Sequence, residues 1–148
     1  MLKHPAFVAL LITSSSWVFS AELITQEQTI DFGELAANFA INSSLQVDPA
    51  GGYMTSGPMY VISPPQPARI RLSGYPANQA LSITINDFFL VPIGGDRFLV
   101  KDFSLNTTTT DNNGDALILI GATLYADAGN TYPDTAYNGN MIVDISYP

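Results

Sequence analysis

Side chains that could carry catalytic chemistry are scarce in this sequence of 148 residues. There is no cysteine, and the single histidine, His4, lies in an N-terminal stretch that has the features of an export signal. Once that stretch is removed, neither a His- or Cys-based metal site nor a Ser-His-Asp or Cys-His arrangement can form. Ser-Lys catalysis would depend on Lys101, which adjoins Asp102 in a predicted strand and is better interpreted as a solvated charge. We therefore expect no enzyme activity, no metal and no cofactor.

A run of oxygen-bearing side chains at 111–115 is the one pattern that resembles a cation loop. Asp111, Asn113 and Asp115 place oxygen ligands at alternate positions. An EF-hand loop needs Gly at its sixth position and Glu at its twelfth, whereas here Gly is fourth and Ala122 is twelfth. Because Asn-Gly accepts the positive φ of a tight turn, a β-hairpin turn is the favoured interpretation, with weak calcium binding as the alternative.

Tyrosines near predicted loops are candidates for a binding surface. Tyr132 and Tyr137 flank a polar loop, and tyrosine is a large, rigid and amphipathic side chain that suits sugar or protein ligands. In the alternative, these rings cap the end of a hydrophobic core. The sequence alone leaves both interpretations open.

The N-terminus has the order of a secretory signal peptide. A short basic region, Lys3-His4, precedes an unbroken apolar run from Ala6 to Ile12, and small residues follow at Ser20 and Ala21. This order predicts a signal peptide over residues 1–20, cleaved after Ser20 or Ala21. A transmembrane anchor is the alternative, but the run is short for a span of about 20 residues. We expect an exported protein, located in the periplasm, at the cell surface or outside the cell, with no transmembrane span in the mature chain.

Signal removal changes the charge and composition of the chain. It takes Lys3 away and leaves four basic residues against 13 acidic ones, a net charge of −9. Nucleic-acid binding is therefore not expected, because phosphate neutralisation needs clustered Lys and Arg. Without cysteine an exported chain has no disulfides, so residues 21–148 must form a single domain held by core packing and strand hydrogen bonds.

The rest of the sequence predicts short β-strands separated by turns. Ala68–Leu72 alternates apolar and basic residues, which places Arg69 and Arg71 on the solvent face of a half-buried strand. Ala116–Ala126 is the longest apolar run of the predicted mature chain and should be a central strand. Between seven and nine strands without a long helix indicate an all-β protein, an antiparallel immunoglobulin-like β-sandwich. The other predicted strands cover 45–47, 59–62, 81–85, 88–93, 97–105 and 141–147.

Two local features qualify this pattern. The alternation between Arg97 and Leu105 changes phase near Asp102, which predicts a β-bulge. Phe32–Ile41 has weak helical spacing but is short and contains Gly33, so it is predicted to be a loop or a single turn.

The order of motifs resembles a bacterial exported family, domain of unknown function 4402 (DUF4402). The resemblance covers nearly all of the predicted mature chain and implies no known activity or catalytic residue. One departure is Ala122 after Gly121, where family members usually have a second glycine. The motifs are Ile30-Asp31-Phe32-Gly33, Val47-Asp48-Pro49-Ala50-Gly51-Gly52, Pro67-Ala68-Arg69-Ile70, Val100-Lys101-Asp102-Phe103, Ile120-Gly121-Ala122-Thr123-Leu124, Tyr137-Asn138-Gly139 and Val143-Asp144-Ile145-Ser146-Tyr147.

The ending of this family is similar to the pilin-like β-sandwich subunits of chaperone–usher systems. That similarity implies a structural or surface protein in which an incomplete sandwich accepts an extended strand. Its partners would be copies of itself or pilus-type assembly proteins. Glu22–Ile30 is a candidate donor segment, although it could equally be the first strand of the domain. A self-contained exported module that binds a glycan or a protein is the other hypothesis. The candidate strand-pairing residues are Ile24, Ile30, Val143, Ile145 and Tyr147.

Overall fold

The computed structural model describes the backbone of residues 2–15 and all atoms of residues 22–148. The predicted cleavage point after Ser20 or Ala21 lies outside the described residues. The described chain contains only β-strands as regular structure, so the predicted all-β class is confirmed. The strands are β1 (Leu2–Ser15), β2 (Leu23–Gln28), β3 (Asp31–Ala37), β4 (Ser43–Val47), β5 (Tyr53–Ser56), β6 (Met59–Ser63), β7 (Ala68–Ser73), β8 (Ser82–Ile85), β9 (Phe88–Leu90), β10 (Phe98–Leu105), β11 (Ala116–Ala126) and β12 (Tyr137–Ser146).

These strands form two sheets. The first has the order β6-β3-β1-β12-β8, and the second has the order β2-β7-β11-β10-β9. On one side of β11, the first half pairs with β7 and the second half with β4, which in turn pairs with β5. Neighbouring strands are antiparallel except β1 and β12, which are parallel. Backbone hydrogen bonds between Val91, which follows β9 in the second sheet, and Asn138 of β12 in the first link the two sheets.

The core between the sheets is built from alternating apolar positions, because successive side chains of a strand point to opposite faces. In β7, Ala68, Ile70 and Leu72 are fully buried, while Arg69 and Arg71 are exposed, as the alternation predicts. The long strand β11 lies at the centre of its sheet and begins and ends at the predicted residues.

The predicted bulge is present at Asp102. The register between β10 and β11 shifts between Lys101 and Ser104, and Asp102 has a φ of 56°. A residue in this left-handed region lets the strand skip a ladder position and reverse its faces, which is why the apolar pattern changes phase there.

The prediction of a loop or single turn at Phe32–Ile41 is wrong for its first part, because Asp31–Ala37 is strand β3 in the first sheet, whereas residues 38–41 do form a turn. Its burial does not alternate: Leu35, Ala36 and Ala37 are all buried. Gly33 has a φ of 72°, and the register of β3 with β6 shifts between Glu34 and Leu35. This irregular backbone, together with alanines, removes the period-two signal on which strand prediction depends.

The strand count also exceeds the predicted seven to nine, because residues 22–148 alone contribute eleven strands. The short edge strand β5 carries no alternation, and all four of its residues are exposed. Glu22–Ile30 contains β2, which pairs with β7 at the edge of the second sheet.

Candidate functional site: the central strand position of the first sheet

The first sheet is completed by a strand from the far N-terminus. β1 lies between β3 and β12, in register with β12 from Ala6 opposite Tyr137 to Ser15 opposite Ser146. On its other side it is antiparallel to β3, with Leu2 opposite Ala37. We call this place, bounded by Asp31–Ala37 and Tyr137–Ser146, the central position. Without β1, β3 and β12 would share no strand partner and the sheet would be divided in two.

The two strands that bound the central position turn an apolar face inward. In β12, Tyr137, Met141 and Val143 are 0% exposed and Ile145 is 1% exposed. The exposed residues that alternate with this inward face are Asn138, Asn140, Ile142 and Asp144. In β3, Phe32 and Leu35 are buried as well. Because directly paired residues lie on the same face of a sheet, a strand in this position needs apolar residues at every second place.

The middle of β1 meets this requirement, whereas His4, opposite buried Leu35, and Ser14, opposite buried Ile145, are polar. Val8, Leu10 and Ile12 are in register with Gly139, Met141 and Val143. This same stretch is the apolar run that predicts a signal peptide. The chemistry that the site can perform is therefore binding of an extended strand through backbone hydrogen bonds and alternate apolar side chains.

The structure separates the five candidate strand-pairing residues into two groups. Val143 and Ile145 bound the central position and also pair with β8 on their other side. Tyr147 follows β12 directly, with its ring 5.7 Å from that of Tyr75 and its hydroxyl donating to the Glu22 carboxylate. Ile24 belongs to β2 in the second sheet, opposite Leu72. Ile30 lies between β2 and β3 and is 0% exposed in the core.

Tyr132 and Tyr137 are in the core, where the alternative interpretation placed them, with 1% and 0% exposure. The ring of Tyr132 stacks on that of Phe98 at 4.3 Å with an interplanar angle of 2°. Its hydroxyl accepts a hydrogen bond from the backbone N–H of Asp127 at 2.9 Å, and that of Tyr137 donates to the carbonyl of Pro133 at 2.8 Å. Burial, supported by nearby Tyr132 and acidic groups, raises the pKa of Tyr137 well above its usual range.

An open cavity of about 710 Å³ lies at the same end of the sandwich. Its lining includes the aromatic residues Phe39, Tyr60 and Tyr132 together with the amides Asn38 and Asn130. Tyr60 is 61% exposed, so this ring, unlike Tyr132, is available to a ligand.

The 111–115 segment is a hydrogen-bonded turn. A single oxygen of Asp111, Oδ1, accepts from the backbone N–H groups of Asn113 at 2.8 Å and Asp115 at 2.9 Å. The carboxylate of Asp111 is thus engaged in stabilising the turn. Across the part of the chain that the structure describes, no group of three or more His, Cys, Asp or Glu residues is arranged to hold a metal ion.

Sequence reasoning missed the central position because it depends on pairing between distant segments. The N-terminal run predicts a signal peptide, with a transmembrane anchor as the alternative, although a continuous apolar run of this length also fits a buried strand. No helix in the described ranges 2–15 and 22–148 is long and apolar enough to span a membrane.

The fold is a β-sandwich in which the N-terminal strand β1 occupies the middle of one sheet. The model of the family described as domain of unknown function (DUF4402) matches residues 23–147, and the chain belongs to that family. The match begins at the first residue of β2 and therefore excludes β1. Neither the curated proteins nor the solved structures contain a significant match to the chain.

Proposed function

We propose that this protein is an exported structural subunit, without catalytic activity, whose sandwich is completed by a β-strand from another chain. One observation carries the proposal. The segment predicted to be removed during export, residues 1–20, contains the strand that occupies the central position. Cleavage would remove β1 and leave an empty strand position between β3 and β12.

The cost of an empty central position follows from the hydrogen bonds of a sheet. β12 would present unpaired backbone N–H and C=O groups along Tyr137–Ser146, and β3 would do so on the facing side. Unpaired backbone groups beside an apolar face cost free energy and form a template for another strand. A strand supplied in trans would restore both the ladder and the apolar contacts, which is β-strand addition.

A clipped form of the full chain tests this proposal. A specific protease site placed after Ser20 allows the whole chain to fold before β1 is separated from the domain. We expect the clipped segment to stay bound without a covalent link and to exchange with a labelled peptide of residues 2–15. A domain that loses the segment, remains a stable monomer and binds no peptide would contradict the proposal.

A matched pair of peptides tests whether the bound strand needs apolar residues on the face that points to the core. Leu10 is opposite Met141, which is buried, whereas Leu11 is opposite Ile142, which is 37% exposed. We expect Leu10→Arg to weaken peptide binding by at least about 100-fold, because it would place a charge against the core. The neighbouring Leu11→Arg peptide should bind within a few-fold of the original.

Disulfide trapping checks the register, since the chain has no cysteine of its own. Phe7 is opposite Asn138, and Asn138 is exposed. An Asn138→Cys domain should form a disulfide with a Phe7→Cys peptide and not with a Ser15→Cys peptide. Equal trapping of both peptides would show that binding does not use this register.

A ligand-binding module is the second candidate function. The supporting observation is the cavity of about 710 Å³, in which the exposed ring of Tyr60 is combined with amide side chains suited to sugar hydroxyls. A glycan array compares Tyr60→Ala with Tyr53→Ala, a 50% exposed tyrosine on β5 outside this cavity. Binding that is lost only in Tyr60→Ala supports the module, and binding unchanged in both variants removes this cavity as its site.

A further inference from the structure

We infer that the strand that completes this domain is supplied by a different protein and not by a second copy of this chain. The inference rests on the proposed function, because it concerns the occupant of the same central position. It would make this chain a strand acceptor that ends an assembly or is held by a separate partner. Three observations support this inference. The N-terminal segment left after cleavage is already paired within its own domain, the other described strands are paired as well, and the chain is strongly acidic.

The segment that a second copy would have to donate is already built into its own domain. β2 pairs with β7 in register from Leu23 opposite Ser73 to Gln28 opposite Arg69. Ile30 is 0% exposed and Ile24 packs against the core. Release of Glu22–Ile30 would therefore expose an apolar core position and leave β7 without its edge partner.

Polar contacts hold the same segment along its length. The Gln28 side-chain amide donates to the carbonyl of Pro67 at 2.7 Å, and Arg71 forms an ion pair with Glu27 at 2.5 Å. At its start, the Glu22 carboxylate accepts from the hydroxyl of Tyr147. Between the predicted cleavage point and β2 there remain only one or two residues, too few to reach the next subunit.

The other strands are committed as well. Within residues 22–148, every strand is paired in one of the two sheets. If one of these strands were donated to a second copy, the donor domain would lose as many strand hydrogen bonds and apolar contacts as the acceptor gained. An added strand lowers the total free energy only when it comes from a segment that is unpaired beforehand.

Charge disfavours close packing of identical copies. After cleavage the chain carries a net charge of −9, with four basic residues against 13 acidic ones. Two such domains repel each other at low ionic strength, whereas a basic partner is attracted. The fitting partner is a separate protein with an exposed strand that is apolar at alternate positions and carries Lys or Arg on its solvent face.

The experiment uses the full chain with the protease site after Ser20, clipped and then freed of β1 by a competing peptide that is afterwards dialysed away. Its oligomeric state is measured by sedimentation and by gel electrophoresis in SDS without heating. We expect no polymer ladder from the freed chain alone. A labelled peptide of residues 2–15 should bind one per chain under the same conditions.

A pair of peptides tests the charge of the partner strand. Both keep Val8, Leu10 and Ile12, and two positions opposite exposed residues, Leu11 and Thr13, are changed to Lys in one and to Glu in the other. At low salt we expect the Lys peptide to bind at least about tenfold more tightly, with the ratio falling as salt is added. Equal affinities, or tighter binding of the Glu peptide, would overturn the basic-partner part of the inference.

The possible results separate this inference from the proposed function. An SDS-resistant ladder of the freed chain alone would overturn the inference and leave strand completion intact. A freed chain that neither polymerises nor binds any peptide would overturn the proposed function itself. Peptide binding without a ladder supports both.

Discussion

The hydroxyl of Tyr125, on β11, donates a hydrogen bond to the carboxylate of Asp102 at the bulge of β10. This contact raises the pKa of Tyr125, first through the hydrogen bond and then through burial and the carboxylate charge. The ammonium of Lys101 lies 5.0 Å from the centre of the same ring. Asp102, Tyr125 and Lys101 thus form side-chain contacts between β10 and β11 next to the bulge, where the ladder between these strands is interrupted.

The bulge gives a prediction for stability. We expect Asp102→Ala to lower the free energy of unfolding by about 1–2 kcal/mol, because it loses the hydrogen bond to Tyr125. Alanine still carries the β-carbon strain of a positive φ, as Asp102 does. Asp102→Gly should be the more stable of the two, since glycine has no strain there. Urea unfolding measures both, and an Asp102→Ala domain at least as stable as Asp102→Gly would disprove the strain argument.

The buried phenol of Tyr137 predicts sensitivity to alkali. Its pKa is raised by burial in the folded state, whereas an unfolded tyrosine titrates near pH 10. Above about pH 10 the unfolded chain loses this proton first, so it binds fewer protons than the folded state and stability falls as the pH rises. The Tyr137→Phe variant should lose less stability between pH 9 and pH 11 than the original chain. Parallel pH profiles of the two would show that this phenol is not responsible.

Two glycines with the same backbone conformation form a matched pair. Gly114 and Gly129 have φ values of 80° and 83°. A β-carbon at Gly114 would collide with the backbone carbonyl of Tyr75, whereas one at Gly129 would meet nothing within 4 Å. Gly129→Ala should cost about 1–2 kcal/mol from backbone strain, and Gly114→Ala about 3 kcal/mol or more. If the two variants lowered the unfolding temperature equally, the backbone near Gly114 would have moved to accommodate the β-carbon, and the predicted collision would be disproved.

The aromatic stack at the end of the sandwich predicts that two tyrosines lining the same cavity, Tyr132 and Tyr60, contribute very differently to stability. Tyr132→Ala removes a buried ring from Phe98 and should destabilise the fold by about 3–5 kcal/mol. Tyr60→Ala, at an exposed position, should change stability by no more than about 0.5 kcal/mol. Chemical denaturation distinguishes them, and a mild effect of Tyr132→Ala would indicate that the ring is not part of the core.

The parts of the fold that sequence reasoning predicted are those with a clean local signal. The alternation at Ala68–Leu72, the long apolar run of β11 and the phase change at Asp102 each depend on neighbouring residues, and each is confirmed. β3 was missed because its alanines are buried without alternation and Gly33 interrupts the strand.

The candidate site lay beyond sequence reasoning for a different reason. The central position is formed by pairing β12 with a segment from the other end of the chain, and nothing local in Val143 or Ile145 reports that partner. In the same way, the burial of Tyr132 follows from Phe39 and Phe98, which are far away in the sequence. Period and composition describe a strand and its faces but not its neighbours.

The parallel pairing of the first and last strands also sets the timing of folding. Leu10 and Met141 are register partners near opposite ends of the chain, so this part of the sheet has a very high contact order. During synthesis the apolar N-terminal segment can pair early with β3, but its parallel partner β12 is made only after all the strands between them. The nascent chain therefore presents one edge of this segment to any receptor during most of its elongation, and the fold competes for that edge only at the end.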